Sequence, residues 1–177
     1  QIGIPKTLGT VFILFEKQLT PVEKQNAITV MENAKFGMTG QNKVWLAGNV
    51  MMRALLQNDY ELVKMARDTI ASEIVTGGAE GIKDDWCFHQ HGAQQQFGNY
   101  GLSFVSGMSF FSGLFSGTSL AFDDKQLSIL STLIDKGYRW VIWKGMMDVN
   151  ALGRQLFHHA PVHKAPVSYT HLTLPTT

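Results

Sequence analysis

The sequence is short of cysteine and of charge. Its one cysteine, Cys87, excludes an internal disulfide framework and any multi-cysteine metal site, and leaves the redox compartment open. Charged residues make up 16% of the 177, against roughly a quarter in an average soluble domain. Lys+Arg number 15 and Asp+Glu 14, so the formal net charge is only +1. A chain so balanced carries no global field to attract nucleic acid or an anionic membrane. Long apolar runs are missing too: the best, Val11 to Phe15, falls far short of the ~18 residues that span a bilayer. There is no Met at the start, no basic leader and no signal-like apolar stretch, so the expectation is that any targeting segment lies upstream of Gln1.

What is present is hydrophobic (45%) and aromatic (11%), which excludes disorder and fits one buried core. The patterning is helical. Leu8, Val11, Phe12 and Phe15 fall on one helix face. Thr20-Pro21-Val22-Glu23 is a helix start, with Thr as N-cap, Pro in the first turn and Glu closing a capping box. Ile28, Met31 and Lys35 continue that helix until Phe36-Gly37-Met38-Thr39-Gly40. Further helices are expected from about Asn42 to Leu56, from a cap at Asp59 with Leu62, Val63, Ala66 and Ile70 inward, from Tyr100 to about Phe115, and from Asp123 with Leu127, Leu130 and Ile134. Strand signals are weak. The expected fold class is all-α, built from helix pairs, with one long polar loop from Thr76 to Asn99. Pro166 to Thr177 has no formal charge and no helical period; it resembles translated sequencing-adaptor read-through, the alternative being a genuine polar tail.

A loop of that length is usually functional or disordered, and Trp86, Phe88, Phe97 and Tyr100 make it too aromatic for a free linker. His89, Gln90, His91, Gln94, Gln95, Gln96 and Asn99 supply amides and imidazoles among those rings. Aromatic faces with hydrogen-bonding amides suit a sugar; the alternative is that Trp86 and Phe97 simply pin the loop to the core. A zinc site among His89, His91, His158, His159 and His163 is disfavoured, because no His-Glu-x-x-His pattern is present and no carboxylate accompanies either group. Cys87 lies two residues from His89 with no third orienting group, so thiol catalysis is weaker still. Gly77-Gly78-Ala79-Glu80-Gly81 lacks the lysine and the strand–helix context of a phosphate loop. No metal and no cofactor is expected.

As a whole the loop is more specific. Asp85-Trp86-Cys87-Phe88-His89-Gln90-His91-Gly92, followed nine residues after His91 by Tyr100-Gly101, resembles the active-site segment of the polysaccharide lyases that include chondroitin AC, hyaluronate and xanthan lyases. Thr39-Gly40-Gln41-Asn42 resembles that family's Thr-Gly-x-Asn block, and Met147 through Gly153-Arg154 its later Gly-Arg block. Gln1-Ile2-Gly3-Ile4-Pro5 resembles the stretch after its tryptophan-rich motif. The resemblance covers residues 1–165. It implies part of an (α/α) toroid of helix hairpins, with the family's β-domains outside this sequence.

It also implies β-elimination at a uronic acid in an acidic, glycosaminoglycan-like polysaccharide, by an enzyme working outside the cell or in the periplasm. The proton at C5 is weakly acidic while the adjoining carboxylate is negative, so an amide that bonds the carboxylate assists its removal. The family assigns that role to the Asn at Asn42, whose plain alternative is helix N-capping. Tyr100 is the implied general acid and base, His91 its assistant or the base for the other epimer. A phenol ionises near ~10 unless helped, and the matching Arg154 would favour the phenolate. The plain alternatives are a surface ion pair for Arg154 and a satisfied loop histidine for His91. Gln90, Asn150 and His158 are the implied substrate contacts, together with Phe36 as a remnant of the aromatic patch unless it faces the core. His158 stands where the family has a second Arg. The competing functional reading is a glycan-binding helical toroid without turnover.

Overall fold

The computed structural model describes residues 2–153. The expectations for Arg154, His158 and the tail from Pro166 lie outside those residues. The chain divides after Glu73 into two compact units.

The first unit is four helices: α1 (Gly3–Leu14), α2 (Pro21–Met31), α3 (Gly40–Gln57) and α4 (Tyr60–Ala71). α3 is the axis of the unit and packs against the other three. It buries Val44, Leu46, Ala47, Val50, Met51 and Ala54. Asn58 ends it in the left-handed conformation (φ 54°), a geometry Asn adopts more readily than most residues. Asp59 then starts α4 by accepting from the Leu62 N–H at 2.9 Å, which makes α3 and α4 a tight helix hairpin. The Thr20 capping box forms as expected, with the Thr20 N–H donating to Glu23 Oε2 at 2.8 Å and the Glu23 N–H to Thr20 Oγ1 at 3.3 Å.

Two expectations need correcting here. α1 does not bury the Leu8–Val11–Phe12–Phe15 face: Val11 and Phe15 are exposed, while Pro5 and Gly9 are buried and Phe12 and Ile13 pack on Ile28, Met31 and Leu56. The reason is Gly9. A Cβ there would stand 2.7 Å from Met31 Cε and 3.0 Å from Met52 Sδ, so the helix is rotated to present its smallest residue to its neighbours. Large side chains mark a face only when packing distance is set by large side chains. α2 also stops at Met31, four residues before Lys35, where the Ala34 N–H turns back to the Met31 carbonyl at 3.0 Å.

The second unit opens with the long loop, which has more structure than its composition predicts. β1 (Gly81–Ile82) pairs antiparallel with β2 (Phe88–His89), in the register Gly81 to His89 and Ile82 to Phe88. Isolated bridges join Thr76 to Ile82 and His89 to Gln95. Two-residue strands are below what alternation can reveal. A π-helical turn, Phe97–Gly101, leads into α5 (Leu102–Phe115). α6 (Asp124–Thr132) is capped by Asp123 and Gln126 in a second capping box, and runs on through a π-helical stretch, Leu133–Tyr138, to Arg139–Val141. A small hairpin follows, β3 (Ile142–Trp143) with β4 (Met146–Met147), then a 3-10 turn at Val149–Ala151. No helix among the described residues is long and apolar enough to cross a membrane.

The loop is held down by rings. Phe88, fully buried, meets Phe104 of α5 with centroids 5.0 Å apart. Phe97 packs edge-on against Tyr138 at 4.9 Å, and the Tyr138 hydroxyl donates to the Phe97 carbonyl at 3.0 Å. Phe97 is therefore a core anchor, the plainer of the two roles its composition allowed. Between these anchors Gly137 lies against the Trp86 carbonyl, where a Cβ would collide with that oxygen and reach Phe97 Cε1 at 3.4 Å. Since the obstacle is backbone, it does not swing away. Gly137→Ala is expected to lower stability by about 1–3 kcal/mol. Gly113→Ala, in α5 with nothing within 4 Å of the new carbon, is expected to be neutral or to gain about 0.5–1 kcal/mol. Denaturant unfolding of the two variants beside the parent checks both.

Candidate active site

Two of the implied site residues meet directly. His91 Nε2 lies 2.9 Å from the Tyr100 hydroxyl, and the rings stand edge to face at 84° with centroids 4.9 Å apart. His91 is exposed and Tyr100 half-buried, so the pair sits where solvent or a ligand reaches one side of it. With the proton on Nδ1, Nε2 accepts the phenol O–H; with Nε2 protonated, it donates to the phenolate. The contact can therefore be made with the proton on either partner.

The elements presenting the pair explain why it forms. Tyr100 belongs to the π-helical turn ahead of α5, a wide turn of a kind that recurs at functional sites. The turn is tied to β2 by the Gln96 N–H, which donates to the Phe88 carbonyl at 2.8 Å, and is closed on itself by the Gly101 N–H, which donates to the Gln96 carbonyl at 2.9 Å. His91 comes two residues after the end of β2 and takes the left-handed conformation, φ 59°, uncommon for a residue with a side chain. Its two neighbours are held by one carboxylate. The Gln90 side-chain amide donates to Glu80 Oε2, and the Gly92 N–H donates to Glu80 Oε1 at 2.9 Å.

Glu80 is the residue that sequence reasoning missed. It sits in the glycine-rich stretch leading into β1, Gly77-Gly78-Ala79-Glu80-Gly81. Nothing in a single sequence distinguishes it; only the hairpin brings it under His91. Gln90 changes role for the same reason. Implied as a substrate contact, it is 1% exposed with its amide on Glu80, so it lies beneath the loop surface.

The other implied residues fall as follows. Asn42, in the first unit, is the third residue of α3 and half-buried. Its capping alternative is excluded, because Thr39 holds the N-cap position and the Gly40 N–H is met by Glu73 Oε2 at 2.8 Å. Glu73 also pairs with Lys43 at 2.6 Å, fixing the start of α3 from α4's far end. Phe36 precedes α3 and is exposed, which excludes the core-facing alternative. Asn150 is exposed in the 3-10 turn, its N–H donating to Asp148 Oδ1 at 2.8 Å. Arg154 and His158 lie outside the described residues.

Cys87 is chemically quiet. Burial, then the hydrogen bond from its thiol to Asp85 Oδ1 at 2.7 Å, push the thiol up to about 12. Reciprocally, the thiol and then the Cys87 N–H hold the Asp85 carboxyl below its usual range. His89 Nε2 is 3.4 Å from the sulfur, but the thiol stays protonated at neutral pH and is no nucleophile. No group of three or more His, Cys, Asp or Glu residues able to hold a metal occurs among the described residues.

Residues 1–165 match the family model for the N-terminal α-helical domain of polysaccharide lyase family 8. The chain belongs to that family. Among curated relatives it is 29% identical over 159 residues to chondroitinase AC of Pedobacter heparinus, covering 87% of this chain and 23% of the relative. It is 26% identical over 162 residues to a xanthan lyase from a Bacillus species, covering 88% of this chain and 17% of that one. A hyaluronate lyase of Thermasporomyces composti is 25% identical over 166 residues, with coverages of 90% and 21%. The chain thus spans about a fifth of the length of the lyases it matches. Among solved structures, a chondroitinase AC lyase studied as oligosaccharide complexes superposes with a TM-score of 0.79 at 29% identity, over 88% of this chain and 24% of that one. Paenibacillus xanthan lyase superposes at 0.74 and 26% identity, over 83% and 14%. The fold class is accordingly the all-α, partial (α/α) toroid of family 8, here with two small antiparallel hairpins added to the helices.

One consequence is measurable on the folded chain. A thiol near 12 exposes roughly 10³-fold less thiolate than an ordinary cysteine near 8.5, so Cys87 should alkylate at pH 8 at least ~10²-fold more slowly folded than unfolded. Asp85→Asn removes the negative acceptor and should speed that reaction. Timed iodoacetamide labelling read by mass spectrometry checks both.

Proposed function

We propose that this chain is the helical portion of a longer polysaccharide lyase that cleaves uronic-acid-containing, glycosaminoglycan-like polymers by β-elimination. The 2.9 Å contact between His91 Nε2 and the Tyr100 hydroxyl is the observation that carries the reading. The substrate class follows from what the relatives are named for, chondroitin and hyaluronan among them. Residues 1–165 are the lyase segment and 166–177 lie outside it. Polymers of this size are met outside the cytoplasm, so the enzyme is proposed to act extracellularly or in the periplasm.

The chemistry balances on this chain's own groups. Tyr100, as phenolate, takes the C5 proton of the uronic acid. The electron pair left at C5 forms the C4–C5 double bond as the C4–O bond breaks. The Tyr100 hydroxyl then returns that proton to the departing glycosidic oxygen. Tyr100 is then phenolate again; His91 takes the phenol proton once to set up that phenolate and afterwards donates a hydrogen bond to it, for which hydrogen-bond distance is required and present. Asn42 is assigned to the uronate carboxylate, where an amide donor stabilises charge developing as C5 loses its proton. Arg154 is assigned to favouring the phenolate, with Phe36, Asn150 and His158 as sugar contacts. The reading needs no metal or cofactor.

Tyr100→Phe in the full-length protein keeps the ring and removes the transferring oxygen. Turnover should fall by about 10²–10⁴ while polymer binding survives. His91→Ala should lower turnover less steeply, and Asn42→Ala by the equivalent of about 2.7–4 kcal/mol. Near-ultraviolet absorbance of the unsaturated product, read beside melting temperature, decides the matter: purely structural roles would lower melting and leave specific activity intact. Parental turnover by Tyr100→Phe overturns the mechanism, and binding without unsaturated product in the parent favours the glycan-binding reading.

A further prediction concerns metal. Because the histidine groups lack accompanying carboxylates in the sequence, a chelator should leave lyase activity unchanged. Activity lost to chelator and restored by zinc would instead support a hydrolase-type site.

A further inference from the structure

The conformation of His91 requires an explanation that its own side chain does not supply. A left-handed backbone at a residue with a Cβ is disfavoured, and it persists only where surrounding contacts over-determine it. Here the contacts converge on Glu80, half-buried in the turn before β1. Its two carboxylate oxygens take separate partners on the two sides of His91: Oε2 the Gln90 side-chain amide, Oε1 the Gly92 N–H. The Gln90 N–H, which donates to the Gln94 carbonyl at 3.1 Å, closes the far side of the turn. Gln90 is buried, so this end of the clamp cannot drift into solvent. His91 itself is exposed, and its ring touches Tyr100 only at the hydroxyl and ring edge. The ring reaches Tyr100 from one side only, so its position depends on the backbone conformation as well as on that contact.

We propose that Glu80 is a positioning residue: by bridging Gln90 and Gly92 it locks the left-handed turn that delivers His91 Nε2 to the Tyr100 hydroxyl. A carboxylate suits this role because it accepts on both oxygens at once. A carboxamide offers one acceptor, and a shorter acid reaches less far. Once the clamp is lost, the turn relaxes toward negative φ and carries the imidazole away from the phenol, although β1, β2 and α5 keep their own packing.

The proposal rests on the lyase reading for its effect on turnover, but its geometric core is testable without it. Glu80→Gln and Glu80→Ala are prepared in the full-length protein with nitrogen-15-labelled histidine, beside the parent and Tyr100→Phe. The expected result is that the His91 ring signals in Glu80→Ala move to those of Tyr100→Phe, since both variants break the same hydrogen bond, with the far-UV spectrum unchanged. Turnover should fall at least tenfold in Glu80→Ala with KM near parental, and less in Glu80→Gln, which keeps one acceptor. If Glu80→Ala does not fold, Glu80→Gln, of the same shape, carries the ring-signal test. His91 signals that stay parental in the folded variants overturn the proposal, whether or not turnover changes. If the ring signals move as expected but the parent makes no unsaturated product from chondroitin or hyaluronan, the lyase reading fails and the positioning role of Glu80 stands.

Discussion

The site depends on a ring buried beneath it. Phe88, in the middle of the polar loop, is inserted completely into the second unit and meets Phe104 of α5. Burying a side chain of that size is worth about 1.5–3 kcal/mol, more than any one surface hydrogen bond in the loop contributes. That contact turns a segment rich in Gln, His and Gly into a fixed platform. Ile82, opposite Phe88 in the register, is buried with it, so one apolar pair anchors both strands of the hairpin. Residues immediately beyond the anchor inherit its rigidity: His89, Gln90 and His91 on one side, and Gln96, whose N–H returns to the Phe88 carbonyl, on the other.

From that platform the polar contacts become specific. A carboxylate in the glycine-rich turn reaches two partners that lie ten and twelve residues along the chain, and the residue between them is held in a conformation it would otherwise avoid. The π-helical turn then places Tyr100 against it. Hydrophobic burial sets where the loop is, and hydrogen bonds hold the turn that carries His91. The same division of labour appears at Cys87, where partial burial and a neighbouring carboxylate silence a thiol that the sequence leaves ambiguous. A His and a Cys two residues apart suggest thiol chemistry; burial and Asp85 argue against it by holding the thiol protonated.

Much of this was legible beforehand, for identifiable reasons. Helix caps depend on atoms within a few residues, so Thr20 and Asp59 are legible as caps from their neighbours alone. The spacing of His91 and Tyr100 carried the family resemblance, and the two side chains do meet. The failures share a different character. The buried face of α1 was misjudged because Gly9 permits a close approach that a pattern of large residues does not encode. The pairing within the loop is not legible, because strands of two residues have no period. Gln90 is implied as a substrate contact, and its burial against Glu80 is not legible because that partner is not local.

The sequence by itself determined most of the helices, the caps at Thr20 and Asp59, and the family, because these rest on local backbone preferences and on motifs read in order along the chain. Only the tertiary structure decided which face α1 buries, that Asn42 stands inside α3 rather than capping it, and that Glu80 lies beneath His91. Those facts depend on how closely two backbones approach and on which distant group fills a given space. Such distances arise when the chain closes on itself, and no single segment contains them.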